Sequence, residues 1–408
     1  MNNSLTTHPF ELTLNPSACP GIAYGPEQAE MLNTEGLAAA QAVITRWPGY
    51  APTPLIDLSG IAAAANIGSL HYKDEAHRFG LKSFKPLGGA YAVYRRVEAE
   101  IAKTAGSDHI DPDDILSGRY AKIAAGVTVT AATDGNHGRS VAWGARMFGC
   151  RCVIFINASV SQGREQAIAS YGAEVRRDPG SFDDAVRAAA ATAAAEGWHL
   201  IPDTSDGVII DAPRNVTQGY AVMAAETIEQ LPFDGPPTHL FLQAGVGGMA
   251  AASAAQFWQS FGTDRPKVIL VEPENAACWF ASLQAAEPVV ISGELESLMG
   301  GLACGEVSRL AWKILKTGAD AALKLTDDAG ADTMRLLAEG RHGDAPLVAG
   351  ESGVAGLAGL LAVAADAETR LILELNADSR IVVFGTEGAT DPETYAAIVG
   401  KTPEQVAA

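Results

Sequence analysis

The segment THLFLQAGVGGMAAASAAQFWQSF, residues 238–261, contains the pattern that decides the fold class. Its first part, 238–243, is a short apolar run with the length and composition of a buried strand. The small-residue stretch from Ala250 to Phe261 is long enough for a helix, and the glycine-rich turn GVGGM, 245–249, lies between the two. A strand followed by such a turn and a helix predicts one unit of a parallel α/β sheet.

The same alternation continues in both directions along the chain. It predicts strands at 71–75, 127–133, 150–157, 173–178, 267–273 and 380–388, and helices at 88–103, 137–149 and 161–172. Residues 103–122 are polar and rich in Asp and Pro, which favours a loop insertion. The chain is therefore predicted to be an α/β protein with parallel sheets, whose ligands bind at the carboxyl ends of the strands.

Composition narrows the class of protein further. The 408 residues are enough for two domains, and 48% apolar against 19% charged residues is typical of a globular protein. A net charge of −19 argues against nucleic acid and anionic membranes as partners. The N-terminus lacks the features of a signal peptide and no apolar stretch reaches the length of a membrane span, so we expect a cytoplasmic protein.

The five cysteines do not suggest a metal site or a disulfide framework. Their number is odd and no C-x-x-C pair occurs among Cys19, Cys150, Cys152, Cys278 and Cys304. Reduced thiols in a cytosolic protein are the simpler expectation, and no metal is predicted.

A lysine follows Ser83 and Phe84 at a predicted strand-to-helix turn, in the run SFKPLGGA, 83–90. An apolar wall and a helix N-terminus both lower the pKa of a lysine, as a Schiff-base lysine requires. Lys85 is therefore a candidate catalytic group. Taken alone, it could equally be a surface lysine that precedes a helix.

The run TDGNHG, 133–138, lies between a predicted strand and a predicted helix. It brings backbone N–H groups, the Asp134 carboxylate, the Asn136 amide and the His137 imidazole to a helix N-terminus, which suits an anionic ligand such as a carboxylate. The alternative is a tight turn in which Asp134 only caps the helix.

The turn at 245–249 can be interpreted in two ways. Its N–H groups and the following helix could hold a phosphate. Residues 245–250 also satisfy the dinucleotide pattern G-x-G-x-x-A, with Glu272 at the end of the next strand as a ribose-binding acid. A nicotinamide-dependent oxidoreductase is thus an alternative, although it gives no role to Lys85 or to residues 134–137.

Taken together, the three motifs resemble those of fold-type II pyridoxal-phosphate enzymes, and within them the diaminopropionate ammonia-lyase family. The resemblance covers roughly residues 50–395. Its supporting runs are KDE (73–75), RFGL (78–81), VEPENAAC (271–278), GLACG (301–305), ESG (351–353), and TEG with TDP (386–392). It implies two doubly wound α/β domains with parallel sheets. Residues 1–92 and 218–408 would form the large cofactor-binding domain and 93–217 a smaller inserted domain, in a homodimer.

The resemblance also implies a role for individual residues. Lys85, Asp134 and Asp203 would be catalytic, with Lys85 as the Schiff-base lysine. Asp134, Gly135 and His137 would bind the amino-acid substrate. The pyridoxal 5'-phosphate cofactor would contact Phe84, Lys85, Asn136, Gly245, Val246, Gly247, Gly248, Met249, Glu351 and Thr386. Thr386 would face the pyridine nitrogen, unless the equivalent position falls on Gly385. Asp203 could alternatively cap a helix.

The implied reaction is α,β-elimination of 2,3-diaminopropionate to pyruvate and ammonia. Asp134 would act as a second base, so that both enantiomers react. Residues 205–213 depart from the family pattern, which leaves dehydration of a serine, threonine or 3-hydroxyaspartate type of substrate as an alternative. β-Replacement and racemisation are further possibilities for the same cofactor.

Overall fold

The computed structural model describes residues 5–107, 109–133 and 135–408. Its strands are β1 Phe10–Leu14, β2 Leu55–Asp57, β3 Ser69–Asp74, β4 Thr128–Ala132, β5 Arg151–Ile156, β6 Glu174–Arg177, β7 His199–Leu200, β8 His239–Gln243, β9 Lys267–Pro273, β10 Ala321–Leu325 and β11 Arg380–Gly385.

The α-helices follow most of these strands. They are α1 Pro26–Ala29, α2 Thr34–Ile44, α3 Ser59–Ala64, α4 Lys85–Ala105, α5 Pro112–Leu116, α6 Ala121–Ala124, α7 Asn136–Phe148, α8 Gln162–Ala169, α9 Phe182–Glu196, α10 Asp211–Gln230, α11 Gly248–Phe261, α12 Cys278–Ala285, α13 Arg309–Gly318, α14 Asp327–Glu339, α15 Ala355–Ala364, α16 Ala367–Leu373, α17 Pro392–Val399 and α18 Pro403–Ala407.

The first of two compact units comprises the described residues up to Asn33, with Pro52–Ser83 and Met223–Ala408. Its seven-stranded sheet has the order β1-β10-β9-β8-β11-β3-β2. The five inner strands are parallel, and β1 and β2 pair antiparallel at the edges. The carboxyl ends of β8 and β11 therefore lie at the same edge, where residues 244–247 and Thr386 follow.

The second unit comprises Thr34–Ala51 and the described part of Phe84–Val222. Its four parallel strands have the order β6-β5-β4-β7. Because β4 and β7 are neighbours, with Thr130 opposite Leu200, the segments after them start side by side. Those segments carry the 133–138 run and Asp203, two of the regions singled out from the sequence.

Small residues allow α4 to pack closely against its neighbours in the second unit. A Cβ atom on Gly144 of α7 would lie 2.7 Å from Cα of Ala90, and one on Gly89 would overlap the Ser140 hydroxyl. A Cβ on Gly88 would overlap the ring of Tyr220 in α10. The two glycines after Lys85 therefore hold the start of α4 against α7 and α10, which fixes the backbone that carries the lysine.

The structure confirms the predicted α/β class with parallel sheets. The loop insertion predicted for 103–122 is wrong in part, because this range contains α5 and the start of α6. The Asp111 carboxylate accepts a hydrogen bond from the Asp113 N–H, and Pro112 is the first residue of α5. An Asp-Pro pair suits the start of a helix as well as it suits a loop, and this explains the error.

The limits of the two units differ from the predicted domain boundaries at 92/93 and 217/218. The second unit starts at Phe84 and ends at Val222, and it also includes Thr34–Ala51. Lys85 consequently groups with this unit and not with residues 1–92. The reason is that α4, Lys85–Ala105, is one continuous helix packed on α7, and a boundary at 92/93 would divide it.

Two further observations concern the whole described chain. Within the described residues, none of the helices combines the length and apolar character needed to cross a membrane. Within the described residues none of the five cysteines forms a disulfide bond; Cys152 and Cys278 are buried, and the other three are half-buried.

Candidate active site

Lys85 is the first residue of α4 and is not a surface lysine. Only 21% of its side chain is exposed, and Nζ lies 2.7 Å from Oδ2 of Asp203. The same Nζ lies 5.6 Å from the ring centre of Phe84 and 5.9 Å from that of Tyr220. The ammonium group therefore lies beside a pair of aromatic rings, whose centres are 4.6 Å apart, and against one carboxylate, all within the second unit.

Asp203 is held in the ionised form by its neighbours. Burial opposes ionisation of this carboxyl, but Lys85 and the nearby His137 outweigh burial and lower its pKa well below the usual range. No described helix begins between Asp203 and α10, which starts at Asp211, so Asp203 is not a helix cap. At neutral pH its carboxylate is an anion that faces an ammonium group.

His137 lies next to Asp203. Its Nε2 lies 2.6 Å from the carbonyl oxygen of Ile201, and since a carbonyl only accepts, Nε2 carries the proton. Its Nδ1 lies 3.9 Å from Oδ2 of Asp203. Burial, helped by Lys85, lowers the pKa of this imidazole, so the neutral form is favoured. The predicted substrate-binding residue is thus next to the carboxylate that pairs with Lys85.

The loop before α7 is organised by Thr133. Its hydroxyl accepts hydrogen bonds from the N–H groups of Gly135 and Gly138, at 3.0 and 3.1 Å. Oδ1 of Asn136, predicted to bind the cofactor, accepts a hydrogen bond from Arg139 at 3.1 Å. Asp134, predicted to be a catalytic base, lies outside the described residues.

The segment that departs from the family pattern forms a compact turn before α10. Oδ1 of Asp206 accepts hydrogen bonds from the N–H groups of Val208 and Ile209, at 2.8 and 3.3 Å. The Ser205 hydroxyl donates to the Ile209 carbonyl oxygen at 2.6 Å. Val208, at the tip, is 84% exposed. The turn is therefore stabilised by its own side chains and presents an apolar residue to solvent.

In the first unit, the run 245–249 follows β8 as predicted, but α11 begins within it, at Gly248 and not at Ala250. Gly247 is the N-cap of α11 with a φ of 97°, a left-handed conformation that glycine adopts without strain. The first turn of any α-helix has N–H groups without intrahelical acceptors, and they carry the positive end of the helix dipole. The turn therefore has the geometry of an anion site.

Glu272, the ribose-binding acid of the dinucleotide interpretation, has a different role. It is fully buried, and its two carboxyl oxygens accept hydrogen bonds from the N–H groups of Trp279 and Phe280, each at 2.8 Å. Glu272 thus caps α12 and is not available to a ribose. The dinucleotide interpretation of residues 245–250 is therefore wrong.

We expect Glu272 to make the stability of the protein depend on pH. Burial raises the pKa of this carboxyl from 4.5 to about 8. Between those values the folded protein keeps a proton that the unfolded chain releases, so stability falls as the pH rises. In Glu272→Gln this dependence disappears. Relative to the variant, the wild type should lose up to about 1.4 kcal/mol of unfolding free energy per pH unit.

Urea unfolding of both proteins at several pH values between 5 and 8 measures this difference. A difference in unfolding free energy that stays constant over this range would contradict the assignment.

Thr386 follows β11 and is buried, with 3% exposure. Its hydroxyl oxygen accepts a hydrogen bond from Nε2 of Gln243 at 2.8 Å, which leaves the hydroxyl hydrogen to donate elsewhere. A Cβ on Gly385 would overlap the Tyr72 ring, so no side chain fits at that position. Glu351 is also buried, and the neighbouring Ser352 hydroxyl accepts a hydrogen bond from the Gly301 N–H at 2.9 Å.

The KDE and RFGL runs contribute to a buried charge network in the first unit. The Arg78 guanidinium donates to both oxygens of Glu75 and both of Glu226, at 2.7–2.8 Å. Lys73 Nζ lies 2.8 Å from Oε2 of Glu226. Two cations and two carboxylates compensate each other here, so the network accounts for these buried charges without a ligand role.

Some residues of these sites were not recognised from the sequence. Tyr220 belongs to the quoted family run QGY, 218–220, but only the fold brings its ring to Lys85. The sequence gives little indication of a role for Gln243 or Trp279. Gln243 is only a polar residue at the end of a predicted strand, and Trp279 is only the residue after VEPENAAC. Each was found through a tertiary hydrogen bond, Gln243 to Thr386 and Trp279 to Gly245.

Residues 46–387 match the family model described as pyridoxal-phosphate dependent enzyme. Diaminopropionate ammonia-lyase of Escherichia coli strain K12 is 36% identical over 365 residues, 88% of this chain and 90% of that enzyme. The holo crystal structure of the Escherichia coli ammonia-lyase matches with a TM-score of 0.86 at 32% identity, over 97% of this chain and 98% of that one. A crystal structure of that lyase with an aminoacrylate-PLP azomethine reaction intermediate matches with a TM-score of 0.85, at the same identity and coverage.

Proposed function

The chain belongs to the pyridoxal-phosphate dependent enzyme family, and on this premise we propose that it eliminates ammonia from 2,3-diaminopropionate to give pyruvate and ammonia. The observation that carries this choice is the 2.7 Å contact between Lys85 Nζ and the ionised Asp203 carboxylate. An anion beside the catalytic lysine favours a substrate whose β-substituent is itself a cation. The similarity to diaminopropionate ammonia-lyase supports the same choice.

The residues of each unit suit pyridoxal 5'-phosphate. In the second unit, Lys85 is a half-enclosed amine that can carry the cofactor covalently, Phe84 provides an apolar wall, and Asn136 provides an amide for the phenolic oxygen. In the first unit, the turn at 245–249 offers N–H groups for a phosphate. There the Thr386 hydroxyl can donate to a ring nitrogen, and Oε1 of the adjacent Gln243 is buried without a hydrogen-bond partner among the described residues. We assign Glu351 to the cofactor's surroundings.

When bound, pyridoxal phosphate supplies an electron sink for the pair of electrons that is left on the substrate Cα. A neutral hydroxyl such as that of Thr386 would leave the pyridine nitrogen largely unprotonated, which moderates this sink and suits elimination. The protein itself moves the protons. Once freed from the cofactor, Lys85 Nζ removes the Cα proton, and Asp203 holds the β-ammonium group as it leaves.

The electrostatics explain why an amino substituent is preferred over a hydroxyl. A β-ammonium group gains both a hydrogen bond and a Coulomb attraction from an ionised carboxylate, whereas a neutral hydroxyl gains the hydrogen bond alone. His137 does not compete with the substrate for Asp203, because its imidazole is favoured in the neutral form. We assign Gly135 and His137 to the substrate side of this site.

A product assay tests the proposal. The protein is incubated with L- and D-2,3-diaminopropionate, and with L-serine and L-threo-3-hydroxyaspartate, and pyruvate, oxaloacetate and ammonia are measured. We expect pyruvate and two molecules of ammonia from each diaminopropionate molecule. If the protein turns over a hydroxy acid and not diaminopropionate, it is a dehydratase, and the changed turn at 205–213 accounts for the different substrate.

We further propose that Asp134 is the base that removes the Cα proton of the D-enantiomer. The proposal rests on the family resemblance, in which an acid at this position complements the lysine. In Asp134→Asn, we expect the rate with D-diaminopropionate to fall by about 10²-fold or more, because a general base contributes that much. The rate with the L-enantiomer is the internal control. A D-enantiomer rate equal to that of the wild type would contradict the assignment.

The family resemblance also supports three proposals about the whole protein. The chain would act as a homodimer, which size-exclusion chromatography with light scattering measures. It would also be cytoplasmic. The two compact units would correspond to the large domain and the smaller inserted domain.

A further inference from the structure

Trp279 lies directly beneath the glycine-rich turn at 245–249. Its indole Nε1 donates a hydrogen bond to the carbonyl oxygen of Gly245 at 2.9 Å. A Cβ on Gly247 would lie 2.7 Å from Cε2 of the indole, so the turn rests against the ring with no space for a side chain. Trp279 is fully buried and stacks on Trp312, with ring centres 5.9 Å apart. The ring is thus a rigid support for the turn.

Two carbonyl groups of the turn are held by neighbouring elements. The Gly245 carbonyl oxygen is held by Trp279, and the Val246 carbonyl oxygen accepts a hydrogen bond from the Ser308 N–H at 2.9 Å. In a planar trans peptide, the C=O and the following N–H point in opposite directions. Holding these two oxygens therefore directs the N–H groups of Val246 and Gly247 away from Trp279 and Ser308. Two adjacent donors pointing outward form a concave anion-binding feature.

Glu272 in turn fixes the position of Trp279. Its two carboxyl oxygens bind the N–H groups of Trp279 and the next residue, Phe280, and so set where α12 begins. Glu272 also lies on β9, which pairs with β8, the strand that leads into the turn. The strand, the acid and the indole therefore form one connected support on the side of the turn opposite to its outward N–H groups.

We propose that Trp279, held by Glu272, is the positioning residue that sets the N–H groups of the 245–249 turn for a phosphomonoester. This inference rests on the proposed function, because it assumes that the turn binds the phosphate of pyridoxal phosphate. Trp279 acts through the Gly245 carbonyl and does not itself touch the ligand. Its contribution should therefore depend on whether the ligand carries a phosphate.

The test compares pyridoxal phosphate with pyridoxal, which lacks the phosphate. The full chain is freed of cofactor and titrated with each compound, and binding is followed by visible absorption. Trp279→Phe keeps an aromatic ring but removes the indole N–H. We expect about fivefold weaker binding of pyridoxal phosphate, as for the loss of one buried hydrogen bond, and unchanged binding of pyridoxal. The ³¹P chemical shift of the bound cofactor should also change.

Trp258→Phe is the matched control. The Trp258 indole is also buried, with 2% exposure, and donates to a backbone carbonyl, that of Ile22, at 2.7 Å. That carbonyl is not part of the turn, so this variant should bind both compounds as the wild type does. Glu272→Gln is a second test variant. It keeps Trp279 but changes the side chain that accepts hydrogen bonds from the Trp279 and Phe280 N–H groups, so it should also weaken the binding of pyridoxal phosphate and not that of pyridoxal.

The outcomes separate the inference from the proposed function. Equal weakening of both compounds in Trp279→Phe, or no weakening of pyridoxal phosphate, overturns the positioning role. If Trp279→Phe does not fold, Glu272→Gln decides by the same criterion. A wild-type chain that binds neither compound would overturn the proposed function itself, whereas a wild type that binds both leaves the variants to decide the inference.

Discussion

Replacement of Lys85 by alanine is expected to abolish elimination and to remove covalent attachment of the cofactor. Lys85 is the only lysine among the described residues of the second unit that pairs with Asp203, and its amine lies beside the rings of Phe84 and Tyr220. Without it, no group at this point can carry the cofactor or remove the Cα proton. Loss of covalent catalysis and of the general base together should lower kcat by at least about 10⁴-fold.

Two measurements check this prediction. The visible absorption that pyridoxal phosphate acquires on covalent attachment to a lysine should be absent from Lys85→Ala, and pyruvate release should fall to background. Lys82→Ala is the control, because Lys82 is three residues away and its Nζ contacts only the Ala389 carbonyl oxygen at 3.3 Å among the described hydrogen bonds. Retained absorption in Lys85→Ala would show that another lysine carries the cofactor.

The second large effect is expected for Asp203→Asn. The substitution preserves shape but removes the negative charge that faces Lys85 Nζ at 2.7 Å. Because Lys85 and His137 keep the pKa of Asp203 low, the wild-type carboxylate is charged throughout the neutral range, and the variant loses that charge at every pH of interest. Removal of one preorganised electrostatic contact typically costs about 10²- to 10³-fold in kcat, and we expect a loss of this size.

The identity of the substrate should modify this loss. If Asp203 holds the leaving β-ammonium group, kcat/KM for diaminopropionate should fall more than any residual turnover of serine. Steady-state kinetics with both substrates measure the difference. Asp206→Asn is the matched control, since Asp206 lies in the next turn and its carboxylate caps the Val208 and Ile209 N–H groups. Equal losses for both substrates would argue against a role in holding the leaving group.

Asp203 should also contribute to acid stability. Its pKa in the folded protein is lower than in the unfolded chain, so its contribution to stability is present above the unfolded value of about 3.8. That contribution is lost as the pH falls toward the folded value. This dependence is opposite in sign to that of Glu272, whose pKa is raised by burial. The two acids illustrate how a nearby cation and an apolar environment change the same functional group in opposite directions.

Several features of the site were predictable because they depend on a few consecutive residues. The turn between β8 and α11 follows from an apolar run, three glycines and a small-residue helix, all between residues 238 and 261. Helix α4 was predicted from residue 88 but begins at Lys85, because Pro86 suits the first turn of a helix. Where the local pattern was ambiguous, prediction was less successful, and α5 was missed because Asp111-Pro112 suits both a loop and a helix start.

The sequence by itself determined the α/β class, the glycine-rich turn, the candidate lysine close to a helix start and the resemblance to pyridoxal-phosphate enzymes. These follow from local backbone preferences and short motifs. Only the tertiary structure decided that Lys85 pairs with Asp203, 118 residues away, and that Trp279 supports Gly245. Only it decided that Glu272 is a buried cap and not a ribose ligand. Such pairings depend on how distant elements pack, and burial then determines which of the paired groups are charged.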